Sequence, residues 1–502
     1  LTNQLINMTA ISKEEWFGHP KGLFILFMTE MWERFTFYGM RALLILFMTS
    51  QMQFEDSKAN LTYGAYQAFV YTMPVWGGWL ADKLIGQRIS IMWGGIMMAI
   101  GNFTLAIPGD TAFFLGLGMI IMGNGYFKPN ISTMVGDLYA EHDERRDSGF
   151  SIFYMGINVG ATLGGLICGY VGQTINWHLG FALAGFFMLL GLMVFRKGQS
   201  TLGNVGLPPE NTQMNKKVLS FLSMKNAILI LSVLMVPVFA FLLVNYKMIN
   251  YIINPIGIVM LLYVIYFGLK EGSVAFGRLM VALVLIFFSM LFWSFYEQGG
   301  GSLNLYAARN VNMNFFGIHL SSAALNNSIN GAMVVIMSPV FGWLWVKLSK
   351  LNANPNSLVK FGLGLVQLGL GFYMFVLGAK TADNGMVNLF WFAAGYFFMT
   401  TGELCLSPIG LSAITKLSPP KMVGLMMGMW FLASAFGQYL AGIIGTMMAI
   451  PAESETGAKL TAMESLPIYT GIFNQITMVS LASGLFLLVV SPFLRRFMHG
   501  VK

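Results

Sequence analysis

Long apolar stretches recur along the whole chain, and this recurrence limits its folds more than any other feature. A helix needs ~20 mostly apolar residues to cross the hydrocarbon core of a bilayer. Only 10% of the 502 residues are charged, whereas soluble domains carry ~25%. The sequence therefore predicts an all-α integral membrane protein with 14 transmembrane helices. These spans lie near residues 22–50, 61–84, 90–107, 112–139, 147–172, 177–197, 226–246, 254–270, 277–299, 322–348, 358–378, 387–416, 422–450 and 468–495.

The positive charges fall mainly on one side of these spans. If the amino terminus lies in the cytoplasm, most of the 29 Lys and Arg residues lie in inner segments. Such a bias sets the orientation of membrane proteins. We therefore expect a multi-pass protein of the cytoplasmic (inner) membrane with both termini inside. The bias also accounts for the net charge of +8 without nucleic acid, and nothing indicates an obligatory protein partner.

An internal repeat predicts two similar halves. Residues 29–39 resemble residues 289–299, and Pro129 and Pro408 interrupt helices at similar places in their halves. Two related halves are a common plan among transporters, whereas a channel or membrane scaffold would not need halves that rock. We predict three parts: an N-terminal six-helix bundle (1–197), a linker with an inserted transmembrane hairpin (198–276) and a C-terminal six-helix bundle (277–502).

Signals of an enzyme are missing from the sequence. It contains neither a GxxxxGK phosphate loop nor an HExxH motif, and no cluster of metal ligands. Cys168 and Cys405 both lie inside apolar stretches, which favours two small buried residues over a disulfide or a metal site. We expect no enzyme activity, no metal and no ATP hydrolysis by this chain.

The first span carries a stripe of ionisable residues. Glu30, Glu33 and Arg34 follow the i, i+3 and i+4 spacing of one helix face. Tyr38 and Arg41 continue this face one and two turns further on. Charges within a membrane helix are costly, so they mark function by default. An ion-pair network that only holds helices together is the alternative.

Three further charges lie inside later spans: Lys128, Glu297 and Glu403. Each alone could simply be paired. The buried charges of the first half sum to +1 and those of the second half to −2, which predicts a cavity with a basic wall and an acidic wall. Such a cavity fits a zwitterion whose carboxylate contacts Arg34 and Lys128 and whose ammonium contacts Glu403.

Neutral polar and aromatic residues could complete such a site. Asn158 and Asn330 are amides in otherwise apolar spans, able either to bond a ligand or to join helices. Several aromatic residues lie in mid-span, where they form either pocket walls or ordinary packing: Tyr71, Tyr154, Trp293, Tyr296 and Trp430.

Four motifs resemble those of the proton-dependent oligopeptide transporter (POT) family of the major facilitator superfamily. Residues 30–39 are close to its ExxERFxYYG motif, and residues 127–130 and 153–160 are similar to its second signature region. Residues 403–408 resemble its motif in the tenth helix, and Asn330 matches an Asn of the eighth. The loop 77–88, with Asp82 among basic residues, is similar to the superfamily's cytoplasmic loop motif, in which the Asp can lock neighbouring helix ends.

This resemblance implies the major facilitator fold with the two-helix insertion of prokaryotic members, and symport of protons with di- and tripeptides by alternating access. It implies that the proton gradient drives transport without a cofactor. Proton coupling is assigned to Glu30, Glu33, Arg34 and Glu297, and the gate to Arg41, Glu297, Lys128 and Glu403. Substrate binding is assigned to Arg34, Tyr38, Arg41, Tyr71, Lys128, Tyr154, Asn158, Trp293, Glu297, Asn330, Glu403, Ser407 and Trp430.

Two positions depart from the family pattern. Phe37 replaces the first Tyr of the motif, and Gly64 stands where animal members carry a proton-linked His. Coupling is therefore expected to depend on carboxylates. The alternative is a transporter of another small solute, such as a peptide-like drug, an amino-acid derivative or nitrate.

Depth along the helices predicts one gate pair. Arg41 lies ~10 Å beyond Arg34 at 1.5 Å per residue, and Glu297 lies near the outer end of span 277–299. We expect Arg41 and Glu297 to pair when the outer side is closed. The alternative is that Glu297 only contacts substrate.

The predicted topology can be tested with single cysteines. Probes at Lys83 and Lys350 should react with an impermeant maleimide only from the cytoplasmic side, and probes at Lys58 and Lys459 only from outside. Labelling of position 350 from outside would contradict the count of 14 spans.

Overall fold

The chain folds almost entirely into helices. The structure is a computed structural model that describes residues 15–140, 143–209, 214–219, 222–315, 317–451 and 460–500. Lys459 and the side chain of Ser407, a predicted substrate contact, lie outside the described part.

Six long helices form the first part of the chain. A short antiparallel pair, β1 (Glu15–Trp16) and β2 (His19–Pro20), precedes them. The helices are α1 (Lys21–Ser50), α2 (Asp56–Leu80, continued by a π-helical turn, Ala81–Ile85), α3 (Gln87–Leu105), α4 (Asp110–Asp137), α5 (Arg146–Thr174) and α6 (Trp177–Gly198).

Among the described residues, the second part of the chain contains ten α-helices and six short strands. The strands are β3 (Lys217–Leu219), β4 (Leu222–Ser223), β5 (Val311–Asn312), β6 (Asn314–Phe315), β7 (Ile318–His319) and β8 (Val387–Asn388). The helices are α7 (Met224–Leu234), α8 (Val236–Val244), α9 (Ile249–Glu271), α10 (Ser273–Tyr296), α11 (Ser302–Asn310), α12 (Ser322–Lys350), α13 (Ser357–Lys380), α14 (Leu389–Leu417), α15 (Val423–Met447) and α16 (Ala462–Phe497).

Each predicted span corresponds to a helix. Four differ in detail: α2, α9 and α16 begin five or six residues earlier than expected, at Asp56, Ile249 and Ala462, and the span 226–246 is divided at Met235 into α7 and α8. Within the described residues, ten helices are long and apolar enough to cross a membrane by length and composition alone. Helices α1 to α4, which hold the first four predicted spans, are not among them; in α1 the charged stripe interrupts the apolar run.

The chain divides by contacts into two compact units. The first comprises Leu1–Leu43 and Phe69–Val244, and the second comprises Leu44–Ala68 and Asn245–Lys502. This division follows packing rather than the internal repeat, so the boundaries after residues 197 and 276 stay predictions.

Each unit has its own core. In the first unit, Leu23, Phe127 and Met188 belong to one buried apolar cluster. The second unit contains buried aromatic rings, among them Tyr306 and Phe473, whose centroids are 5.0 Å apart.

An ion pair ties the start of α2 into the second unit. The Arg309 guanidinium lies 2.5 and 2.8 Å from the two carboxylate oxygens of Asp56. Asp56 is buried and also accepts a hydrogen bond from the backbone N–H of Ile450 at 3.1 Å. A buried carboxylate needs such partners, so this contact holds α2 against α11 and the end of α15.

The loop between α2 and α3 is held by Arg88 rather than by Asp82. Gly86 adopts a positive φ of 78° there, which favours glycine. Arg88 donates to the carbonyl oxygens of Val205 at 2.7 Å and Gly203 at 2.5 Å. Asp82 is exposed and forms no ion pair with any residue the structure describes. The contact that holds this loop is therefore the Arg88 cation bonded to backbone carbonyl groups, and not the Asp82 contact that the motif predicts.

Two glycines of α5 let α1 approach closely. A Cβ on Gly160 would lie 2.1 Å from the carbonyl oxygen of Met31 and 3.0 Å from Cβ of Arg34. A Cβ on Gly164 would lie 2.2 Å from the carbonyl oxygen of Phe35. The backbone of α1 cannot accept a side chain at either position without moving, so these glycines fix the position of its charged stripe.

This packing predicts the effect of Gly160→Ala. The added methyl group must displace α1, and overpacking of this kind costs about 1–3 kcal/mol. We expect a lower midpoint of thermal unfolding in detergent. Gly471→Ala in α16, where a Cβ meets open space, is the matched control and should leave the midpoint unchanged or higher. Equal midpoints for the two variants would contradict the close packing.

Candidate functional site

Three charged side chains of α1 form one buried cluster. Nε of Arg34 lies 2.8 Å from Oε1 of Glu30 and 2.5 Å from Oε2 of Glu33. The exposed fractions are 2% for Glu30, 0% for Glu33 and 4% for Arg34. Removing such charges from water is costly, and only close partners offset the loss. The predicted stripe is thus a compact ion cluster within the first unit.

Helix α4 extends this cluster. Nδ2 of Asn124 donates to Oε1 of Glu33 at 3.5 Å. One turn further on, Lys128 interacts electrostatically with both glutamates, and its ammonium lies 4.3 Å from the ring centroid of Tyr71. Together with Arg34, Lys128 balances the two carboxylates.

Further along α1, Arg41 lies about two helical turns beyond Arg34. It is 9% exposed, and its guanidinium carbon lies 5.6 Å from the ring centroid of Tyr38. Its predicted gate partner, Glu297, begins a 3-10 turn after α10 and is 3% exposed. Arg41 and Glu297 belong to different units, so their pairing stays a prediction.

A hydrogen-bond network around Glu403 forms the polar site of the second unit. Nδ2 of Asn330 lies 2.5 Å from the Tyr296 hydroxyl, 3.1 Å from Oγ1 of Thr400 and 3.1 Å from Oε2 of Glu403. The Tyr296 hydroxyl donates to the same carboxylate oxygen. Helices α10, α12 and α14 therefore converge on one carboxylate, which two neutral donors orient.

Aromatic rings border this network. The Tyr296 ring is stacked on Phe292, with centroids 5.5 Å apart, and meets Trp293 edge-on at 5.2 Å. Trp293 is half-buried, whereas Trp430 is 5% exposed and packs 6.5 Å from Phe361. Trp430 stays a predicted substrate contact.

Two candidates on α5 have a different setting. The Asn158 amide donates to the Tyr154 carbonyl of its own helix at 2.9 Å, so it does not join helices through that bond. Tyr154 is 39% exposed. Both stay predicted substrate contacts.

Asn124 in the α1 cluster and Thr400 in the Glu403 network are site residues that the sequence did not predict. Each lies one helical turn before a recognised charge, Asn124 before Lys128 and Thr400 before Glu403. A search for polar residues at i−3 and i−4 from each buried charge would have found both.

The comparisons with known proteins agree with this architecture. The sequence profile of the POT family matches residues 88–463. The uncharacterised transporter YclF of Bacillus subtilis is 36% identical over 504 residues, covering 98% of each chain. A di-/tripeptide transporter of Lactococcus lactis subsp. cremoris is 35% identical and covers 86% of this chain and 90% of the relative. A crystal structure of a peptide transporter POT in complex with sulfate is 35% identical, with a TM-score of 0.83 and full coverage of both chains.

Fold and site together define a membrane transporter of the major facilitator type. The chain belongs to the POT family.

The network around Glu403 predicts energetic coupling between its members. Tyr296→Phe and Asn330→Ala remove groups that contact each other, so their effects on stability should not add. We expect an interaction free energy of about 0.5–3 kcal/mol from a double-mutant cycle measured by unfolding. Among the described residues, Asn327 donates only to the Ala323 carbonyl of its own helix, at 3.3 Å, so Tyr296→Phe with Asn327→Ala should be additive. Additivity in both cycles would mean that the network is not a unit.

Proposed function

We propose that this chain is a proton-coupled symporter that imports di- and tripeptides across the cell membrane by alternating access. Proton coupling is general to the POT family. The observation that carries the proposal is the buried cluster of two carboxylates and two cations around Arg34. Relatives named as di-/tripeptide transporters, 35% identical to this chain, support the substrate class.

Charge balance links proton binding to substrate binding in the first unit. Glu30 and Glu33 are balanced by Arg34 and Lys128 when all four are charged. A proton on either carboxylate leaves the cluster with an excess positive charge, which attracts the carboxylate of a peptide. Arg34 and Lys128 then bind that carboxylate through charge-assisted hydrogen bonds. Release of the proton restores the balance and weakens this attraction.

The second unit supplies the complementary recognition. Glu403 attracts the peptide ammonium, while Asn330 and Tyr296 orient the carboxylate of Glu403. Asn330 and Tyr296 are also able to hydrogen-bond the amino end of the ligand.

Peptide-like compounds fit the same proposal. A mutant of a peptide transporter POT, 35% identical to this chain, was crystallised with alafosfalin. A POT family transporter, 31% identical, was crystallised with 5-aminolevulinic acid. A site that recognises the two charged ends of a ligand admits such compounds, so transport of peptide-like drugs or amino-acid derivatives accompanies peptide transport in this proposal.

The proposal also includes the location of the transporter, its orientation and its energy source. It lies in the lipid bilayer of the cell (inner) membrane with both termini cytoplasmic, and the proton gradient drives it without a cofactor. Arg41 with Glu297, and Lys128 with Glu403, are its proposed gate residues.

Blocking the ends of a dipeptide tests the recognition. An amide at the carboxyl end removes a charge-assisted partner of Arg34 and Lys128, and each lost contact costs about 1.5–3 kcal/mol. N-acetylation removes the charge that Glu403 attracts. We expect each change to weaken competition with a labelled dipeptide at least about tenfold in proteoliposomes under an imposed pH gradient. Equal competition by all three compounds would contradict recognition of a zwitterion.

Replacing Glu33 with Gln tests the coupling. The variant cannot gain and lose a proton at this position, while the cations and Glu403 remain. We expect loss of uphill dipeptide accumulation with retention of exchange between equal pools. Glu55→Gln, an exposed carboxylate next to α2, is the control and should accumulate dipeptide normally. Undiminished accumulation by Glu33→Gln would show that the proton uses another group.

A further inference from the structure

A polar cavity of about 750 Å³ lies in the second unit, away from the Glu403 network. It is formed by the loop 352–356, the start of α13 and the final turns of α12, α14 and α16. Three cations line it: Lys360 on α13, Lys416 on α14 and Arg495 on α16. Its lining contains no carboxylate among the described residues, so the cavity is positively charged.

Lys360 is the unusual member of this lining. It is only 8% exposed, and its ammonium lies 4.3 Å from the ring centroid of Trp345. Within the described residues it forms no ion pair and its ammonium has no hydrogen-bond acceptor. Its ammonium nitrogen is not among the fully buried unpaired atoms of the described residues, so it reaches the cavity that Lys360 lines. An anion in the cavity would supply the missing partner.

The start of α13 adds to the attraction for an anion. The first amides of a helix have no acceptor within the helix and carry a partial positive charge. Asn356 caps this end by accepting from the amide of Val359 at 2.9 Å. Ser357 follows the cap and also lines the cavity. Helix start and cations therefore act on the same space.

The other half of the chain provides an internal comparison. Arg88 stands near the start of α3, the third predicted membrane span of its half, as Lys360 stands near the start of α13, the third predicted membrane span of the second half. Arg88 is satisfied by the carbonyls of Gly203 and Val205. Lys360 has no such carbonyl among the described residues and lines an open cavity instead.

We propose that this cavity binds a phosphate group, namely that of an anionic phospholipid headgroup. Basic pockets between helices at the cytoplasmic surface suit such headgroups, and the charge bias predicts that this end of the unit is cytoplasmic. Exposed apolar side chains adjoin the lining residues in the chain: Leu351, next to Asn352, is 64% exposed, and Phe493, two residues before Arg495, is 57% exposed. These side chains offer a surface to acyl chains, which free phosphate would not need.

Lipid titration of the purified full-length chain in detergent tests this proposal. Retained lipid is counted by native mass spectrometry, and the midpoint of thermal unfolding is followed with phosphatidylglycerol, phosphatidylcholine or inorganic phosphate. We expect phosphatidylglycerol to be retained and to raise the midpoint, while phosphatidylcholine at the same concentration does neither. Stabilisation by inorganic phosphate alone would overturn the lipid source. If neither phosphatidylglycerol nor inorganic phosphate has an effect, the site itself is overturned.

Neighbouring arginines provide matched variants. Arg495 lines the cavity, whereas Arg496 is exposed and does not. Arg495→Gln and Lys416→Gln should each weaken phosphatidylglycerol binding on the order of fivefold, since one cation near an anionic surface contributes about that much. Arg496→Gln should have less effect than either. Equal weakening by all three variants would mean that general surface charge, not this cavity, attracts the lipid. Both test residues are exposed, so neither substitution depends on repacking the core.

Discussion

The burial of Glu30, Glu33 and Arg34 in α1 is the constraint on which the first unit depends. Three charges within five residues, each at most 4% exposed, are stable only if they compensate one another and keep close neighbours. This requirement explains why α5 presents glycines to the backbone of α1, and why α4 brings Asn124 and Lys128 to the same place. The close packing of α1 and the balance of its charges therefore depend on each other, and a change in either disturbs the other.

The second unit meets the same requirement differently. Its central carboxylate, Glu403, is oriented by the neutral donors Tyr296 and Asn330 rather than by an arginine. The site consequently keeps its negative character, while the cluster of α1 is balanced. In the proposed function, this difference gives the two units opposite roles: the first gains affinity for a carboxylate when it takes up a proton, and the second attracts an ammonium directly.

Much of this could be predicted from the sequence because the strongest signals are local. Apolar runs predicted the helices, and the i, i+3, i+4 spacing predicted the cluster of α1. Contacts between distant segments have no such period, so Asn124 and Thr400 were missed, and Arg88 rather than Asp82 was found to hold its loop. The Asn158 side chain forms its hydrogen bond within its own helix. The residue type alone does not show whether an amide bonds its own helix, another helix or a ligand.

The most direct test of coupling is proton flow driven by peptide. Proteoliposomes that contain the chain and an internal pH-sensitive dye, with equal pH on both sides and a clamped membrane potential, receive a dipeptide outside. If peptide and proton move together, the interior should acidify on addition of the dipeptide and stay constant on addition of a form blocked at both ends. Dipeptide uptake with no acidification would contradict symport with protons.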